Sequence, residues 1–126
     1  GPGLALYIDF HAHASKRGCF VYGNSLHTLE EQVENQMFAR LISVNSQHFD
    51  YSACNFTRRH MMRTDRGDEG LSAEGTGRVA LFLASGALRC YTLECNYHTD
   101  KTMNDLPNPA GVGRRRESPR DRSRAH

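Results

Sequence analysis

Short apolar segments alternate with polar ones along the first part of the chain and predict strands. Residues 4–8 are apolar and rich in strand formers, and they lead directly into the polar run 9–13. On an extended strand, side chains two positions apart share a face, so Asp9, His11 and His13 are predicted to point to the same side. This pattern is typical of a buried strand that delivers polar side chains at its carboxyl end.

The clearest helix signal begins at Thr28, a residue type that caps helices at the amino terminus. Glu31 follows three positions later and completes the sequence of a capping box. Apolar residues then recur at spacings of three or four, which predicts a helix from about residue 29 to residue 46. Its predicted apolar stripe consists of Val33, Met37, Leu41 and Val44.

A strand is also predicted over residues 90–97, where polar and apolar side chains alternate. The alternation places Thr92, Glu94 and Asn96 on one face and Tyr91, Leu93, Cys95 and Tyr97 on the other. The other predicted elements are a short strand at 19–22, a strand or ordered loop at 49–56, a long surface loop at 57–77, and an apolar segment at 78–84 that suits a helix or a strand.

Length and composition indicate a soluble protein of at most one domain, and the predicted strands and helix make its expected fold class α/β. Hydrophobic residues make up 38% and charged residues 24% of the 126 positions. No apolar run approaches the roughly 18–20 residues of a membrane span, and Asp9 and His11 interrupt the only early apolar stretch, so neither a membrane segment nor a signal peptide is expected. The four cysteines form no C-x-x-C pair and are expected to be reduced thiols of a cytosolic protein.

The net charge of +2 hides a split between the body of the chain and its end. Residues 107–126 carry six arginines against two acidic residues, whereas residues 1–106 carry ten basic against twelve acidic residues. The tail is therefore predicted to be disordered, and the body is not a basic nucleic-acid surface. RNA binding by the tail through phosphate contacts is a weaker hypothesis, and nucleic acid is not the expected partner.

Two features suit metal-dependent chemistry, and each has a plainer explanation. The pair His11 and His13 suits zinc ligation, but exposed histidines at a strand end are also common. Glu94 interrupts an apolar strand, so it is either a residue of the solvent-facing side or a desolvated carboxylate suited to act as a general base. A third feature, the H-x-x-E spelling at His27 and Glu30, is expected by chance in this composition and is set aside.

The glycine-rich loop at 72–78 lacks the Gly-Lys-Ser/Thr ending of a phosphate loop, so that interpretation is rejected. Arg78 at its end either binds an acidic group through a forked pair of hydrogen bonds or is a solvated surface residue.

Taken together, these segments resemble the cytosolic carboxypeptidases, a family of zinc metallocarboxypeptidases that remove glutamates from polyglutamylated tubulin. Residues 9–24, D-F-H-A-H-A-S-K-R-G-C-F-V-Y-G-N, are similar to the second signature of that family. G-R-V-A at 77–80, A-S-G at 84–86 and Y-T-L-E-C-N-Y at 91–97 resemble later motifs in the same order, as do segments 45–50 and 54–56. The resemblance covers about residues 4–104 and implies a zinc-carboxypeptidase-like mixed sheet with flanking helices.

The resemblance also implies a role for three residues. His11 matches the third zinc ligand of the family, and Glu94 matches its catalytic glutamate, which takes a proton from the zinc-bound water. Arg78 falls where the family places a basic residue that faces the glutamate side chain of the substrate. His13 belongs to the motif but is not the usual ligand.

The other two family ligands, an H-x-x-E motif that precedes the second signature, have no counterpart before His11. Residues 1–106 are therefore interpreted as the second half of a catalytic domain, and the isolated chain is expected to be inactive with one of three Zn²⁺ ligands present. The alternative function is a non-catalytic truncated form that binds acidic peptides or a protein partner. The expected partners are glutamylated tubulin tails and other acidic protein tails, and the expected location is the cytoplasm, with nuclear and microtubule-associated pools as alternatives.

Overall fold

The computed structural model describes residues 3–62, 77–98 and 101–107. Within them the chain forms strands β1 (Tyr7–His13), β2 (Cys19–Tyr22) and β3 (Cys90–Asn96), and helices α1 (Leu29–Asn45), α2 (Arg58–Met61) and α3 (Gly77–Ser85). The three strands form a mixed sheet in the order β1-β3-β2, so the predicted α/β class is confirmed. The predicted disordered tail at 107–126 lies almost entirely outside the described residues.

Strand β3 occupies the centre of the sheet and sets the register of both neighbours. It pairs in parallel with β1, where His11 lies opposite Glu94, and antiparallel with β2, where Phe20 lies opposite Glu94. The apolar character of β3 suits a central strand that is covered on both faces. The pairing brings residues from the two ends of the chain into one sheet.

A helix covers each face of the sheet. On one face, Phe38 of α1 stacks on Tyr91 with ring centroids 4.7 Å apart, and Ala39 and Val21 complete a buried cluster. On the other face, Val79 and Phe82 of α3 pack with Cys90 and Met61 in a second cluster. The apolar segment at 78–84, for which periodicity left helix and strand open, is thus helical because one side of it packs on the sheet.

Helix α1 begins as the sequence predicts, but its predicted stripe points away from the sheet. The Thr28 side chain and the Glu31 side chain form the capping box. The stripe residues Val33, Met37, Leu41 and Val44 are 52%, 47%, 54% and 47% exposed, respectively. The buried positions of the helix are Asn35, Ala39 and Ser43. The side of α1 that faces the sheet therefore combines these residues with Phe38 and Ile42, and the predicted apolar stripe is left on the outer surface.

Strand β1 begins at Tyr7 and continues through His13, so the polar run is part of the extended strand as predicted, but none of the strand residues is buried, so the expectation of a buried strand is wrong. The segment after residue 49 forms a 3₁₀ turn at Tyr51–Ala53 and isolated bridges to β2. The short helix α2 lies inside the predicted loop at 57–77, most of which falls outside the described residues. No helix among the described residues is long and apolar enough to cross a membrane.

We expect the isolated chain to associate through the exposed stripe of α1. An apolar surface of this kind drives self-association in water. The double substitution Met37→Gln and Leu41→Gln is expected to convert oligomers of the chain to monomers in size-exclusion chromatography with light scattering. Leu83→Gln removes an equally apolar residue that is 62% exposed on α3, and this matched control should leave the oligomers intact. A monodisperse wild-type monomer would contradict the prediction.

Candidate functional site

Polar side chains from β1 and β3 converge on the sheet face that also contacts α3. Asp9 lies opposite Thr92 and His11 lies opposite Glu94 in the parallel register. Side chains directly opposite each other in a sheet point to the same face. The structure therefore brings His11 and Glu94, which lie far apart in the sequence, to the same place.

His11 lies between two carboxylates. Its Nε2 is 2.9 Å from Asp9 Oδ2, and its Nδ1 is 3.8 Å from Glu94 Oε1. An ionised carboxylate only accepts hydrogen bonds, so the nitrogen that faces Asp9 carries the proton. The lone pair of neutral His11 is then at Nδ1, on the side of Glu94. A carboxylate in this position orients histidines that ligate metals in many proteins.

Glu94 is buried at 8% exposure, so the interpretation of Glu94 as a solvent-facing residue is wrong. It lies between His11 on β1 and Phe20 on β2, and both are its register partners. Burial of a carboxylate requires nearby compensation of its charge. The positive charge of Arg78, from the helix layer, supplies that compensation.

Arg78 is even more buried, at 3% exposure, so it is not a solvated surface arginine. Its Nη1 donates a hydrogen bond to Thr92 Oγ1 at 3.2 Å, and its guanidinium carbon lies 5.9 Å from the centre of the Tyr22 ring. Burial lowers the pKa of Arg78, an effect that Tyr22 and the Glu94 carboxylate oppose. An arginine nevertheless stays charged, so Arg78 places a fixed positive charge beside the two carboxylates.

One donor of Arg78 has no acceptor among the described residues, namely the buried Nε. An unpaired buried donor carries a desolvation cost. Arg78 can therefore still form the forked pair of hydrogen bonds with an acidic group that the sequence suggested. The described residues do not supply that group.

A chain of buried hydrogen bonds that sequence analysis missed holds α3 in place. Asn24 Nδ2 donates to the Arg78 carbonyl at 3.0 Å, Asn35 Nδ2 donates to the Asn24 carbonyl at 3.0 Å, and the Tyr91 hydroxyl donates to the Asn35 carbonyl at 3.0 Å. These bonds connect α3 to α1 through Asn24, which follows β2, and connect α1 to β3 through Tyr91. Of these residues, only Asn35 could have been noticed from the sequence, because it is a polar residue inside an amphipathic helix.

Gly77 allows the amino-terminal end of α3 to approach β1. A Cβ atom at Gly77 would collide with the Tyr7 hydroxyl and would lie 3.4 Å from Asp9 Oδ2. Only glycine leaves room for both groups there. This close approach brings the backbone next to Arg78 against the face that carries Asp9 and His11.

The remaining histidine candidates do not join this group. His13 Nδ1 accepts hydrogen bonds from the backbone N–H groups of Ser15 and Lys16, at 3.2 and 3.0 Å, so it stabilises the turn after β1. His27 precedes the cap of α1 and lies 6.3 Å from Phe82 between ring centroids, whereas Glu30 lies in the first turn of the helix. The helical spacing that an H-x-x-E ligand pair requires is therefore absent at His27 and Glu30.

The residues of the site do not by themselves form a metal centre. Among residues 3–62, 77–98 and 101–107, no three His, Cys, Asp or Glu side chains are grouped to hold an ion. His11 offers one imidazole nitrogen with an orienting carboxylate behind it, and a catalytic zinc needs three protein ligands. The described part of the chain therefore supplies one ligand of such a centre and not the full set of three.

Comparison with known proteins gives consistent relatives. The chain is 54% identical over 105 residues to Cytosolic carboxypeptidase-like protein 5 of Rattus norvegicus and of Homo sapiens, a match that covers 83% of this chain and 12% of each relative. It is 33% identical over 97 residues to Cytosolic carboxypeptidase 6 of Homo sapiens, which covers 76% of this chain and 17% of that protein. No family model matches the chain. The chain thus spans about 12% of the length of the first of these relatives.

We expect Asn24→Ala to destabilise the fold by about 1 kcal/mol, because it removes the buried hydrogen bond from Asn24 Nδ2 to the Arg78 carbonyl, whereas the Asn24 backbone carbonyl still accepts from Asn35. The measurement is urea unfolding in the Met37→Gln and Leu41→Gln background, so that association does not mask unfolding. Asn45→Ala is the matched control, since Asn45 is exposed and bonds only within its own helix, to the Leu41 carbonyl. Equal loss of stability in the two variants would contradict the proposed bracing of α3.

Proposed function

Because this chain belongs to the cytosolic carboxypeptidase family, we propose that it forms part of the catalytic domain of a zinc-dependent peptidase that removes glutamates from polyglutamylated tubulin and other acidic protein tails. The observation that carries the proposal is the placement of His11 Nδ1 3.8 Å from Glu94 Oε1 on one sheet face. A ligand and a general base must lie within reach of one water molecule for this chemistry.

Glu94 is the proposed general base. Its carboxylate is largely withdrawn from solvent, its neighbour across the strands is the His11 imidazole, and Arg78 interacts with it electrostatically. In this role Glu94 takes a proton from the attacking water and passes it to the leaving amine. The aromatic ring of Phe20 on the neighbouring strand limits access of bulk water from that side.

His11 is the proposed ligand that this chain contributes to zinc. Asp9 fixes the protonated nitrogen of the ring and leaves Nδ1 available, which is the state that ligation requires. When bound, zinc would polarise the scissile carbonyl and acidify a water molecule. The further ligands would come from the part of the relatives that this chain does not span.

Arg78 is the proposed determinant of the preference for acidic substrates. It carries a permanent charge in a buried position and has an unpaired donor, Nε. A guanidinium group binds a carboxylate through two parallel hydrogen bonds, so a glutamate side chain is a suitable partner. Thr92, which already accepts a hydrogen bond from Nη1, holds the group in a fixed orientation.

The second candidate function is a non-catalytic form that binds acidic peptides or a protein partner. One observation favours it, namely that the described residues offer a single imidazole where a catalytic zinc requires three ligands. The same Arg78 would then bind an acidic tail without cleavage. The relatives carry the word cytosolic in their names, so a cytoplasmic location is proposed for either function, with nuclear and microtubule-associated pools included in that proposal.

The isolated chain is expected to release no glutamate from a peptide that ends in a run of glutamates, because the described residues supply one of the three protein ligands that a catalytic zinc needs. The measurement is amino-acid analysis of the products with Zn²⁺ added. Release that a chelator abolishes and zinc restores would overturn the interpretation of the chain as an incomplete catalytic unit.

A chimera tests the enzyme proposal directly. When this chain replaces the matched segment of the human Cytosolic carboxypeptidase-like protein 5, we expect glutamate release from the same peptide. Glu94→Gln in the chimera should lower kcat by on the order of 10²–10⁴-fold, because the general base is lost while the shape of the side chain is kept. Glu34→Gln, at an exposed position on α1, is the matched control and should leave kcat unchanged. An active Glu94→Gln chimera would eliminate the proposed role of Glu94. An inactive parent chimera that still binds the peptide would favour the non-catalytic form.

A further inference from the structure

Two cysteines face each other across neighbouring strands on the sheet face that α1 covers. Cys19 of β2 lies directly opposite Cys95 of β3 in the antiparallel register. In this arrangement the two side chains project to the same side of the sheet. The pair lies one residue away from Phe20 and Glu94, which face the opposite side.

The pair occupies a non-hydrogen-bonded position of the ladder. The Cys19 backbone N–H donates to the His48 carbonyl, and its carbonyl accepts from the Asp50 N–H, so both groups point away from β3. The next pair is the hydrogen-bonded one, since the Asn96 N–H donates to the Gly18 carbonyl at 3.1 Å. Residues in non-hydrogen-bonded pairs have Cα atoms about 4.5 Å apart, which lies at the short end of the separations that disulfides span.

The two thiols already interact. Burial raises the pKa of Cys95 to about 11, and a hydrogen bond with the Cys19 thiol acts in the same direction. Both residues are partly buried, and all four cysteines are free thiols in the structure.

The other two cysteines have different partners. Cys54 Sγ accepts from the Val21 N–H at 3.3 Å, and Cys90 Sγ contacts the Ala87 carbonyl at 3.2 Å. Cys90 lies in the cluster with Val79 on the other face of the sheet, so it cannot reach Cys19. The cross-strand position distinguishes Cys19 and Cys95 from both.

We propose that Cys19 and Cys95 form a redox modification site, in which a reversible disulfide links β2 to β3 beside the strand positions of Phe20 and Glu94. The proposal rests on the strand register and is independent of the proposed peptidase function. In a reducing compartment the dithiol is the resting form, and disulfides found there are typically transient or redox-sensing.

Glutathione disulfide is the oxidant class that balances the reaction. The Cys19 thiolate attacks one sulfur of glutathione disulfide, a mixed disulfide forms, and one glutathione thiolate leaves. The Cys95 thiolate then attacks the Cys19 sulfur and releases the second glutathione. The two protons of the cysteine thiols pass to the two glutathione thiolates, so the protein dithiol is oxidised and one glutathione disulfide is reduced. Because the raised pKa of Cys95 makes it the weaker attacking thiol at neutral pH, Cys95 is assigned the second step.

The test is oxidation of the native full chain with glutathione disulfide, followed by alkylation of free thiols, trypsin digestion and mass spectrometry. Cleavage after Arg17, Arg40, Arg58, Arg89 and Lys101 separates Cys19, on residues 18–40, from Cys54, on residues 41–58. Residues 90–101 carry both Cys90 and Cys95, so the Cys90→Ala variant or fragmentation of the linked peptide assigns the bond. We expect a link between residues 18–40 and 90–101 that persists in Cys90→Ala and disappears in Cys95→Ser.

Two further comparisons distinguish a disulfide that the fold favours from incidental oxidation of exposed thiols. The link should form more slowly in urea than in the native chain, because only the sheet holds the two thiols together. The oxidised chain should show an upward shift in its midpoint of thermal unfolding that dithiothreitol reverses and that Cys95→Ser lacks. The proposal is overturned if native protein links Cys54 or Cys90 as readily, if urea accelerates the link, or if only glutathione adducts of single cysteines appear.

Discussion

The parallel pairing of β1 with β3 is the constraint on which the other features of the site depend. It places His11 opposite Glu94 and Asp9 opposite Thr92, so four polar side chains from distant parts of the chain share one surface. A shift of a single residue would turn one set of side chains to the other face of the sheet. The apolar residues Tyr91 and Leu93 oppose such a shift, because they would lose their contacts with the helix layer behind the sheet.

Mutual charge compensation explains how this surface tolerates burial. Glu94 and Arg78 are both almost inaccessible to solvent, and neither would be stable there without opposite charge nearby. Arg78 is held by Thr92 from the sheet and, through its backbone, by Asn24. The close approach of α3 at Gly77 makes this possible. The packing of α3 therefore determines where the charge of Arg78 lies, and a change to that packing would also move this charge.

The structure has an uneven distribution of apolar surface that matches the short span of the chain relative to its relatives. Helix α1 buries Asn35, Ala39 and Ser43 and packs Phe38 on the sheet, but it leaves the stripe of Val33, Met37, Leu41 and Val44 exposed. Phe10 on β1 is also strongly exposed, at 76%, on an edge strand whose other side has no partner strand among the described residues. Surfaces of this kind are normally covered by further protein, and the relatives contain about eight times the matched length.

The sequence by itself determined the local elements and the type of site. The capping residues placed the start of α1 at Leu29, the period-two alternation assigned Thr92 and Glu94 to one strand face, and the motifs around His11 and Glu94 indicated the family. Each of these features depends on neighbouring residues only, which is why a sequence pattern carries it. The sequence also left open whether segment 78–84 is a helix, and it did not reveal which side of α1 faces the sheet.

Only the tertiary structure decided those matters, together with the burial of Glu94 and Arg78 and the roles of Asn24, Asn35 and Thr92. The physical reason is that burial depends on how closely two elements approach, and this distance is set by small residues such as Gly77 and Ala39 at the contact. A hydrophobic pattern identifies an apolar face of α1 but does not say which surface will cover it. For the same reason the pairing of Cys19 with Cys95 became visible only when the register of β2 against β3 was known.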